Sequence, residues 1–166
     1  MKLHDRIVLR CALAALSFIL IIPTTVYSQA KALGTDELTR KSEIVAHGRV
    51  KEMKSQWEGN KERIVTYVTV NVDEYLKGSG AGGTLTIVNP GAEVDGVGEL
   101  YTHMARFSRD EEVVVFVEKD KKGRYRMTGG NEGKFSVRKD DASGKSVVSG
   151  QRSLDDLRTE IRKAVH

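Results

Sequence analysis

The sequence is poor in cysteine and proline and contains no internal repeat. Its 166 residues include one cysteine, Cys11, and two prolines. Without paired cysteines or a repeat, the disulfide-scaffold, collagen-like and coiled-coil classes of protein are excluded. The hydrophobic fraction of 39% is enough to build a core, and the length suits a single domain.

The first thirty residues have the three parts of a secretory signal peptide. Residues 1–10 are mainly basic, Cys11–Ile22 form an apolar run, and small residues surround two candidate cleavage points, after Ser28 or after Ala30. We therefore predict that residues 1–30 are a signal peptide and that the protein is exported to the periplasm or the extracellular space. The apolar run is shorter than the roughly 20 residues that a membrane span needs, so no stable span is expected after cleavage. An uncleaved N-terminal anchor is the alternative.

Removal of residues 1–30 changes both the charge and the chemistry of the chain. The whole sequence has a formal net charge of +4, and the removed segment carries Lys2, Arg6 and Arg10 against Asp5. The mature chain therefore has a net charge of +2 and no cysteine. Disulfides, thiolate chemistry and cysteine-ligated zinc are excluded for it.

The clearest secondary-structure signal is a β-strand at Ile64–Leu76. Its even positions are mainly apolar and β-branched while its odd positions are mixed, which is the alternation of a half-buried strand. The apolar run Val113–Val117 predicts a central strand buried on both faces. Ser153 precedes apolar residues at helical spacing and predicts a C-terminal amphipathic helix. The other predicted elements are a short helix from Thr35, strands at Glu43–Met53 with a bend at Gly48, Thr84–Val88 and Ser146–Ser149, a turn at Lys54–Glu62, and a hairpin of Arg124–Thr128 with Lys134–Arg138.

This order of elements predicts one domain over residues 31–166. The domain is mainly β, a small antiparallel barrel or sandwich with a short N-terminal helix and a C-terminal amphipathic helix. Between Pro90 and Asp110 the chain is irregular, with several glycines and few apolar residues. A stretch of that length without secondary structure is uncommon in a compact domain, and it indicates either a functional loop or an unrecognised element.

Two stretches resemble the netrin-like modules of the tissue inhibitors of metalloproteinases. The first is Ile44-Val45-Ala46-His47-Gly48-Arg49-Val50, and the second runs from Tyr67 to Leu76 and ends in Lys77-Gly78. Further stretches similar to a set of uncharacterised secreted bacterial proteins are Arg106-Phe107, Glu112–Val117 and Gly129–Phe135. The resemblance covers about Glu43–Val137 and implies an OB-like, five-stranded antiparallel β-barrel.

The resemblance does not extend to the inhibitory mechanism of that family. Those inhibitors place a disulfide-tethered N-terminal cysteine in the zinc site of a metalloprotease, and the mature chain has no cysteine. The resemblance therefore implies a fold rather than this activity. Inhibition of a protease without a cysteine stays open as one alternative function.

No motif in the sequence predicts catalysis or a cofactor. There is no Gly-x-Ser-x-Gly nucleophile elbow, and Gly78–Gly83 lacks the Gly-Lys-Ser/Thr ending of a phosphate-binding loop. The sequence predicts no metal site either, since it has neither a paired-histidine motif nor an EF-hand loop. The residues that could supply metal ligands are His103, Glu93, Asp95 and Glu99. A small periplasmic enzyme or metal-dependent protein that uses residues 91–110 is therefore a second alternative function.

The sequence predicts a binding surface on the mixed face of the strongest strand. The predicted binding residues are Tyr67, Thr69, Asn71 and Tyr75 of that strand, with Trp57 in the predicted loop before it. Exposed tyrosine and tryptophan side chains suit recognition of a protein or a glycan. The alternative is that the C-terminal helix covers this face.

Basic residues do not predict a nucleic-acid partner. Arg124 and Arg126 share one strand face, and the interleaved Tyr125 and Met127 alternate to the opposite face. The basic face therefore lacks the aromatic side chains on which bases stack. The predicted function is an exported, non-catalytic binding module that recognises an extracytoplasmic protein or glycan.

Overall fold

The computed structural model describes residues 32–149 and 152–166. The predicted signal peptide, residues 1–30, lies outside the described residues. The helices are α1 (Thr35–Lys41), a 3₁₀ turn (Gly130–Gly133) and α2 (Leu154–Val165). The strands are β1 (Ile44–Glu58), β2 (Arg63–Lys77), β3 (Thr84–Pro90), β4 (Ala92–Val94), β5 (Val97–Glu99), β6 (Glu112–Lys119), β7 (Tyr125–Met127), β8 (Lys134–Lys139), β9 (Ser146–Val148) and β10 (Arg152–Ser153). Within the described ranges, no helix is long and apolar enough to cross a membrane.

Eight strands form one sheet that bends back on itself. Their order is β1-β2-β3-β7-β6-β8-β9-β10, and β1 also pairs with β6. A single parallel residue pair, Ile87 with Tyr125, links β3 to β7, because β7 has three residues and Pro90 at the end of β3 has no N–H to donate. The sheet therefore stays open at this point and is not a closed barrel. The predicted mainly β class with a short first helix and a C-terminal helix is confirmed.

The central strand is β6, and it is buried on both faces. All five residues of Val113–Val117 are buried. Alternate side chains enter two separate cores, because successive side chains of a strand lie on opposite faces. Val113, Val115 and Val117 belong to the inner core, enclosed by the bent sheet. Val114 and Phe116 belong to the outer core, between the sheet and the two helices. The prediction for this strand is confirmed.

Helix α2 covers the outer core and is joined to the sheet by ion pairs. Its side chains buried in that core are Leu154, Leu157 and Ile161. The hydroxyl of Ser153 caps the helix, since it accepts a hydrogen bond of 3.0 Å from the backbone N–H of Asp156. Arg158 and Arg162 each lie 3.0 Å from a carboxylate oxygen of Glu74 in β2. The predicted amphipathic helix is confirmed, and it lies against the C-terminal end of β2.

An extra residue in β2 changes which side chains face the inner core. Asp73 has no partner in β1, because the register of the two strands shifts beside Gly48. A Cβ at Gly48 would lie 2.0 Å from the carbonyl oxygen of Asn71, so only glycine fits this close approach. The bend predicted at Gly48 is therefore confirmed. After the extra residue the alternation reverses, and Tyr75 packs against the inner core.

Two predicted local structures are wrong. Strand β1 continues to Glu58, so the turn is confined to residues 59–62 and Trp57 lies in a strand. The polar end of β1 has no strand pattern of its own and is held by pairing with β2. The predicted hairpin of β7 with β8 does not form, because β7 pairs with Val117–Lys119 of β6 and β8 with Glu112–Val115. The 3₁₀ turn between them moves the chain along β6 instead of reversing it.

Candidate functional site

The stretch predicted to be irregular, residues 91–110, contains a hairpin. Strands β4 and β5 pair across Asp95 and Gly96, whose φ angles are 54° and 77°. Two consecutive positive φ angles are the requirement of a type I′ turn, for which Asp-Gly is a strong sequence signal. Val94 and Val97 flank this dipeptide. The signal was present in the sequence, and the prediction of an irregular loop is wrong for this part.

The rest of this segment is held to the sheet by hydrogen bonds and buried side chains. The Nδ2 of Asn89 donates to the carbonyl oxygen of Ala105 at 2.9 Å. The backbone N–H of Asn131 donates to the carbonyl oxygen of His103, also at 2.9 Å. Ala105 and Phe107 are buried in the inner core. The segment is therefore an integral part of the fold and can position side chains for binding.

A groove of about 320 Å³ lies between this segment and the first two strands, and we call it the apolar groove. Met53 from β1 and Val68 from β2 line one part of it, and Leu100, Tyr101 and Met104 line another. Leu100 is 77% exposed, Tyr101 44% and Met53 38%. Large apolar side chains grouped around a concave surface are typical of interaction sites.

A second groove of about 640 Å³ lies where the sheet is open between β3 and β7, and we call it the basic slot. It forms because the two strands share only the pair at Ile87 and separate beyond it. Its apolar residues are Val65, Val88, Pro90, Met104 and Met127. Its charged residues are the basic Arg63, Lys119, Lys121, Lys122, Arg124 and Arg126 and the acidic Glu58, Glu118 and Asp120. The slot therefore combines an apolar lining with an excess of positive charge.

Arg124 is the centre of an ion-pair cluster in the basic slot. Its guanidinium pairs with Glu58 and lies 2.7 Å from Asp120, while Glu58 also pairs with Arg63. The pKa of Asp120 is lowered to about 2. The largest cause is the hydrogen bond from the backbone N–H of Arg124, and a hydrogen bond from the Arg124 guanidinium adds to it, so that together they outweigh desolvation. Hydrogen bonds from Arg63 and Arg124 also lower the pKa of Glu58. Both carboxylates therefore stay ionised in mildly acidic solution.

The five predicted binding residues do not share one surface. Tyr67, Thr69 and Asn71 lie on one face of β2 and are half-buried or exposed, as expected from their alternate positions. In the pairing of β1 with β2, the partner of Tyr67 is Lys54, and Trp57 lies three residues further along β1. Because successive side chains of a strand alternate between faces, Trp57 lies on the face opposite to Tyr67. The unpaired Asp73 reverses the alternation of β2, and Tyr75 therefore packs against the inner core. The prediction that Tyr75 shares the face of the other three strand residues is therefore wrong, while binding by the five residues stays a prediction.

The C-terminal helix does not cover the face formed by Tyr67, Thr69 and Asn71. Helix α2 contacts β2 through the ion pairs with Glu74, near the far end of the strand. Asn71 is exposed and the other two side chains are half-buried. This face also continues into the basic slot, since Tyr67 pairs with Val88, which lines the slot.

The candidate metal ligands lie in the β4–β5 hairpin and in the turn that follows it. Glu93 and Asp95 belong to the β4–β5 hairpin, and His103 lies in a turn with φ of 66°. The Oε2 of Glu99 accepts a hydrogen bond of 2.9 Å from the backbone N–H of Ile64. In the part of the chain that the structure describes, no group of three or more His, Cys, Asp or Glu side chains is arranged to hold a metal ion.

The buried histidine of β1 joins three elements of the fold. His47 is 7% exposed, with its Nε2 2.9 Å from Oε1 of Glu112 in β6 and its Nδ1 3.4 Å from Nη2 of Arg158 in α2. A guanidinium only donates hydrogen bonds, so Nδ1 accepts and the Nε2–H donates to the carboxylate. His47 therefore has a structural role in connecting the sheet to the helix.

Comparison with known proteins adds no family to this description. No protein-family model and no curated protein matches the chain. The resemblance to netrin-like modules therefore stays a prediction, and the candidate site rests on the two grooves.

Proposed function

We propose that this protein is an exported, non-catalytic binding module that recognises an extracytoplasmic protein through the apolar groove. The observation that carries the proposal is the exposure of Leu100, at 77%, beside Tyr101, at 44%, on the edge of that groove. Exposed apolar surface of this kind is removed from water when a partner binds, which favours association. Tyrosine is also enriched among the residues that dominate protein–protein binding energy.

A protein partner fits the apolar groove better than a glycan does. Glycan recognition needs several free polar groups, and two of the polar side chains that line this groove already donate a hydrogen bond to the backbone of the chain. The Oγ1 of Thr66 donates to the carbonyl oxygen of Gly91 at 2.9 Å, and the Nδ2 of Asn89 donates to Ala105. Met53 and Met104 also line the groove, and methionine side chains adapt their shape to an apolar partner. We therefore infer that the partner inserts an apolar side chain.

The edge of the groove is preorganised for such contact. Leu100 and Tyr101 directly follow β5, whose Glu99 accepts the hydrogen bond from Ile64. Gly91 precedes β4 and donates its backbone N–H to the carbonyl oxygen of Ile64 at 2.9 Å. Both ends of the β4–β5 hairpin are therefore joined to β2, and little ordering of the chain is needed when a partner binds.

Export is supported by the three-part N-terminal segment, and a binding role by the character of the two grooves. The N-terminal residues 1–30 combine basic residues, an apolar run and small residues before two candidate cleavage points. The apolar groove offers exposed side chains suited to contact, with no activated nucleophile among those lining it. A binding module outside the cytoplasm combines these two features.

Site-specific photo-cross-linking in the native host tests the proposal. A benzophenone amino acid is placed at Leu100 of the full chain, and at Lys145, an exposed residue of the β8–β9 connection, as the matched control. We expect one extracytoplasmic protein to be cross-linked from position 100 and not from position 145, with loss of the adduct on Tyr101→Asp. Equal adducts from both positions contradict the proposal. A hydrolytic activity of the purified chain that His103→Ala abolishes would instead support the enzyme alternative.

A further inference from the structure

We propose that the basic slot is a second binding site, for an acidic, extended segment of a protein that also carries aliphatic side chains. The slot is distinct from the apolar groove, and the residues common to both are Asn89, Pro90 and Met104. These residues separate the two grooves. The proposal therefore stands whether or not the apolar groove binds a partner.

The charges around the slot are unbalanced. Six basic and three acidic residues line it, so the surplus is three positive charges. Lys121 has no ion-pair partner among the described residues, and the Nζ of Lys122 is 3.5 Å from Glu58, which already pairs with Arg63 and Arg124. Each acidic side chain of the slot therefore already has a basic partner, while Lys121 and Lys122 can still pair with an incoming anion. A concave surface with one sign of charge attracts ligands of the opposite sign.

The lowered pKa values of two acidic residues of the slot, Asp120 and Glu58, keep both carboxylates charged in mildly acidic solution. The carboxyl of Asp120 has a pKa of about 2 and that of Glu58 a lowered pKa, both through hydrogen bonds from arginines that also line the slot. Neither carboxylate gains a proton between neutral and mildly acidic pH. A carboxylate ligand with an ordinary pKa does gain one in that range, so binding is expected to weaken as the pH falls through about 4.

The apolar lining of the slot distinguishes an acidic peptide from other anions. Val65, Val88 and Pro90 line the slot from β2 and β3, and Met104 and Met127 line it as well. Met127 also belongs to the inner core. A free inorganic anion would leave this surface uncovered. A single-stranded nucleic acid is expected to stack its bases on aromatic side chains, and no aromatic residue is among the described residues that line the slot.

The position of the slot between two strands suits an extended chain. Beyond Ile87, the β3 edge that faces β7 has no further strand partner among the described residues. The volume of about 640 Å³ is within the range of about 300–1,000 Å³ typical of ligand sites. A segment that alternates acidic and aliphatic residues can present its carboxylates to the lysines and its aliphatic side chains to the apolar lining.

The test uses a short fluorescein-labelled peptide of alternating Glu and Leu, with fluorescence anisotropy of the purified full chain as the readout. Lys121→Glu/Lys122→Glu reverses two exposed charges of the slot. Lys139→Glu/Lys145→Glu makes the same charge change at two exposed residues, the last of β8 and one in the β8–β9 connection. We expect the slot variant to bind about tenfold more weakly than the wild type and the control variant to change less than about twofold. Raising the ionic strength is expected to weaken the wild type more than the slot variant.

Several outcomes overturn the proposal. Equal losses in the slot and control variants mean that attraction is not specific to the slot. Equally tight binding of a Gln-Leu peptide means that the carboxylates are not recognised. Tighter binding of single-stranded DNA or of a sulfated glycan assigns the slot to that ligand.

Two further variants serve as controls. If the slot variant has a lowered thermal midpoint, Lys121→Ala/Lys122→Ala replaces it in the same comparison. Leu100→Asp is expected to leave peptide binding unchanged, which separates this site from the apolar groove.

Discussion

The side-chain amide of Asn89 donates a hydrogen bond of 2.9 Å to the carbonyl oxygen of Ala105. This bond joins the end of β3 to the segment of residues 91–110, and Asn89 lines both the apolar groove and the basic slot. Asn89 is 9% exposed and Ala105 is 3% exposed, so water does not replace the bond. The same residue therefore holds the segment in place and separates the two grooves.

We predict that Asn89→Ala lowers the free energy of unfolding by about 1–3 kcal/mol. The substitution leaves the buried carbonyl of Ala105 without its donor, and an unsatisfied buried acceptor costs about that much. Urea unfolding followed by circular dichroism measures the change. Thr86→Ala, at an exposed position of the same strand, is the control and is expected to change the free energy by only a few tenths of a kcal/mol. Equal effects of the two substitutions would show that the Asn89 bond does not stabilise the fold.

The second prediction concerns the close approach of Gly130 to the same segment. A Cβ at Gly130 would lie 2.2 Å from the carbonyl oxygen of His103, and its φ of 62° is in the left-handed region. Gly130→Ala is therefore expected to lower the free energy of unfolding by more than about 1 kcal/mol. Gly98→Ala is the matched control, because no atom lies within 4 Å of its added Cβ. A thermal midpoint for Gly130→Ala equal to that of Gly98→Ala would contradict the structure of this turn.

The third prediction is a pH dependence that originates at Asp120. Its pKa falls from 3.8 to about 2 on folding, mainly because the backbone N–H and the guanidinium of Arg124 donate to the carboxylate. A carboxyl with a lower pKa in the folded state stabilises the fold above about pH 3.8, and this stabilisation is lost as the pH falls through about 2. The thermal midpoint of the wild type is therefore expected to fall more steeply between these pH values than that of Asp120→Asn. Asp141→Asn, at an exposed turn residue, is expected to keep the wild-type slope. Parallel curves for the wild type and Asp120→Asn would contradict this assignment.

The strands of the inner core could be predicted because burial leaves a direct pattern in the sequence. Val113–Val117 is apolar at every position because β6 has a core on each side. In β2 the alternation is visible as far as Val72, since only even positions of that part face the inner core. The C-terminal helix has a capping serine and apolar residues at helical spacing, and both features form as predicted.

The pattern failed where pairing between distant residues decides the structure. Asp73 is unpaired because of its register against β1, and nothing in the β2 sequence marks that shift or the inward turn of Tyr75. Strand β1 extends through polar residues to Glu58 because β2 pairs with it. In contrast, the β4–β5 hairpin was predictable, since Asp95-Gly96 between valines is a local signal.

The basic slot could not be predicted because its residues come from distant parts of the sequence. Arg63 belongs to β2, Val88 to β3 and Lys121 to the β6–β7 connection. They meet only because the sheet stays open between β3 and β7, which depends on the length and pairing of both strands. The exposure of Leu100 and Tyr101 could not be predicted either, because they lie in a stretch without a strand pattern.

The binding role of the apolar groove is tested most directly with the protein that is cross-linked from position 100. The measured quantity is the affinity of that protein for the chain. Its dissociation constant is measured by titration calorimetry against the wild type, Leu100→Asp and Val165→Asp. Val165 is 43% exposed on α2, so it offers the same kind of change at an apolar residue outside the groove. A loss of about tenfold or more for Leu100→Asp, with wild-type affinity for Val165→Asp, is the result predicted for a groove that binds the partner. Wild-type affinity for Leu100→Asp would contradict it.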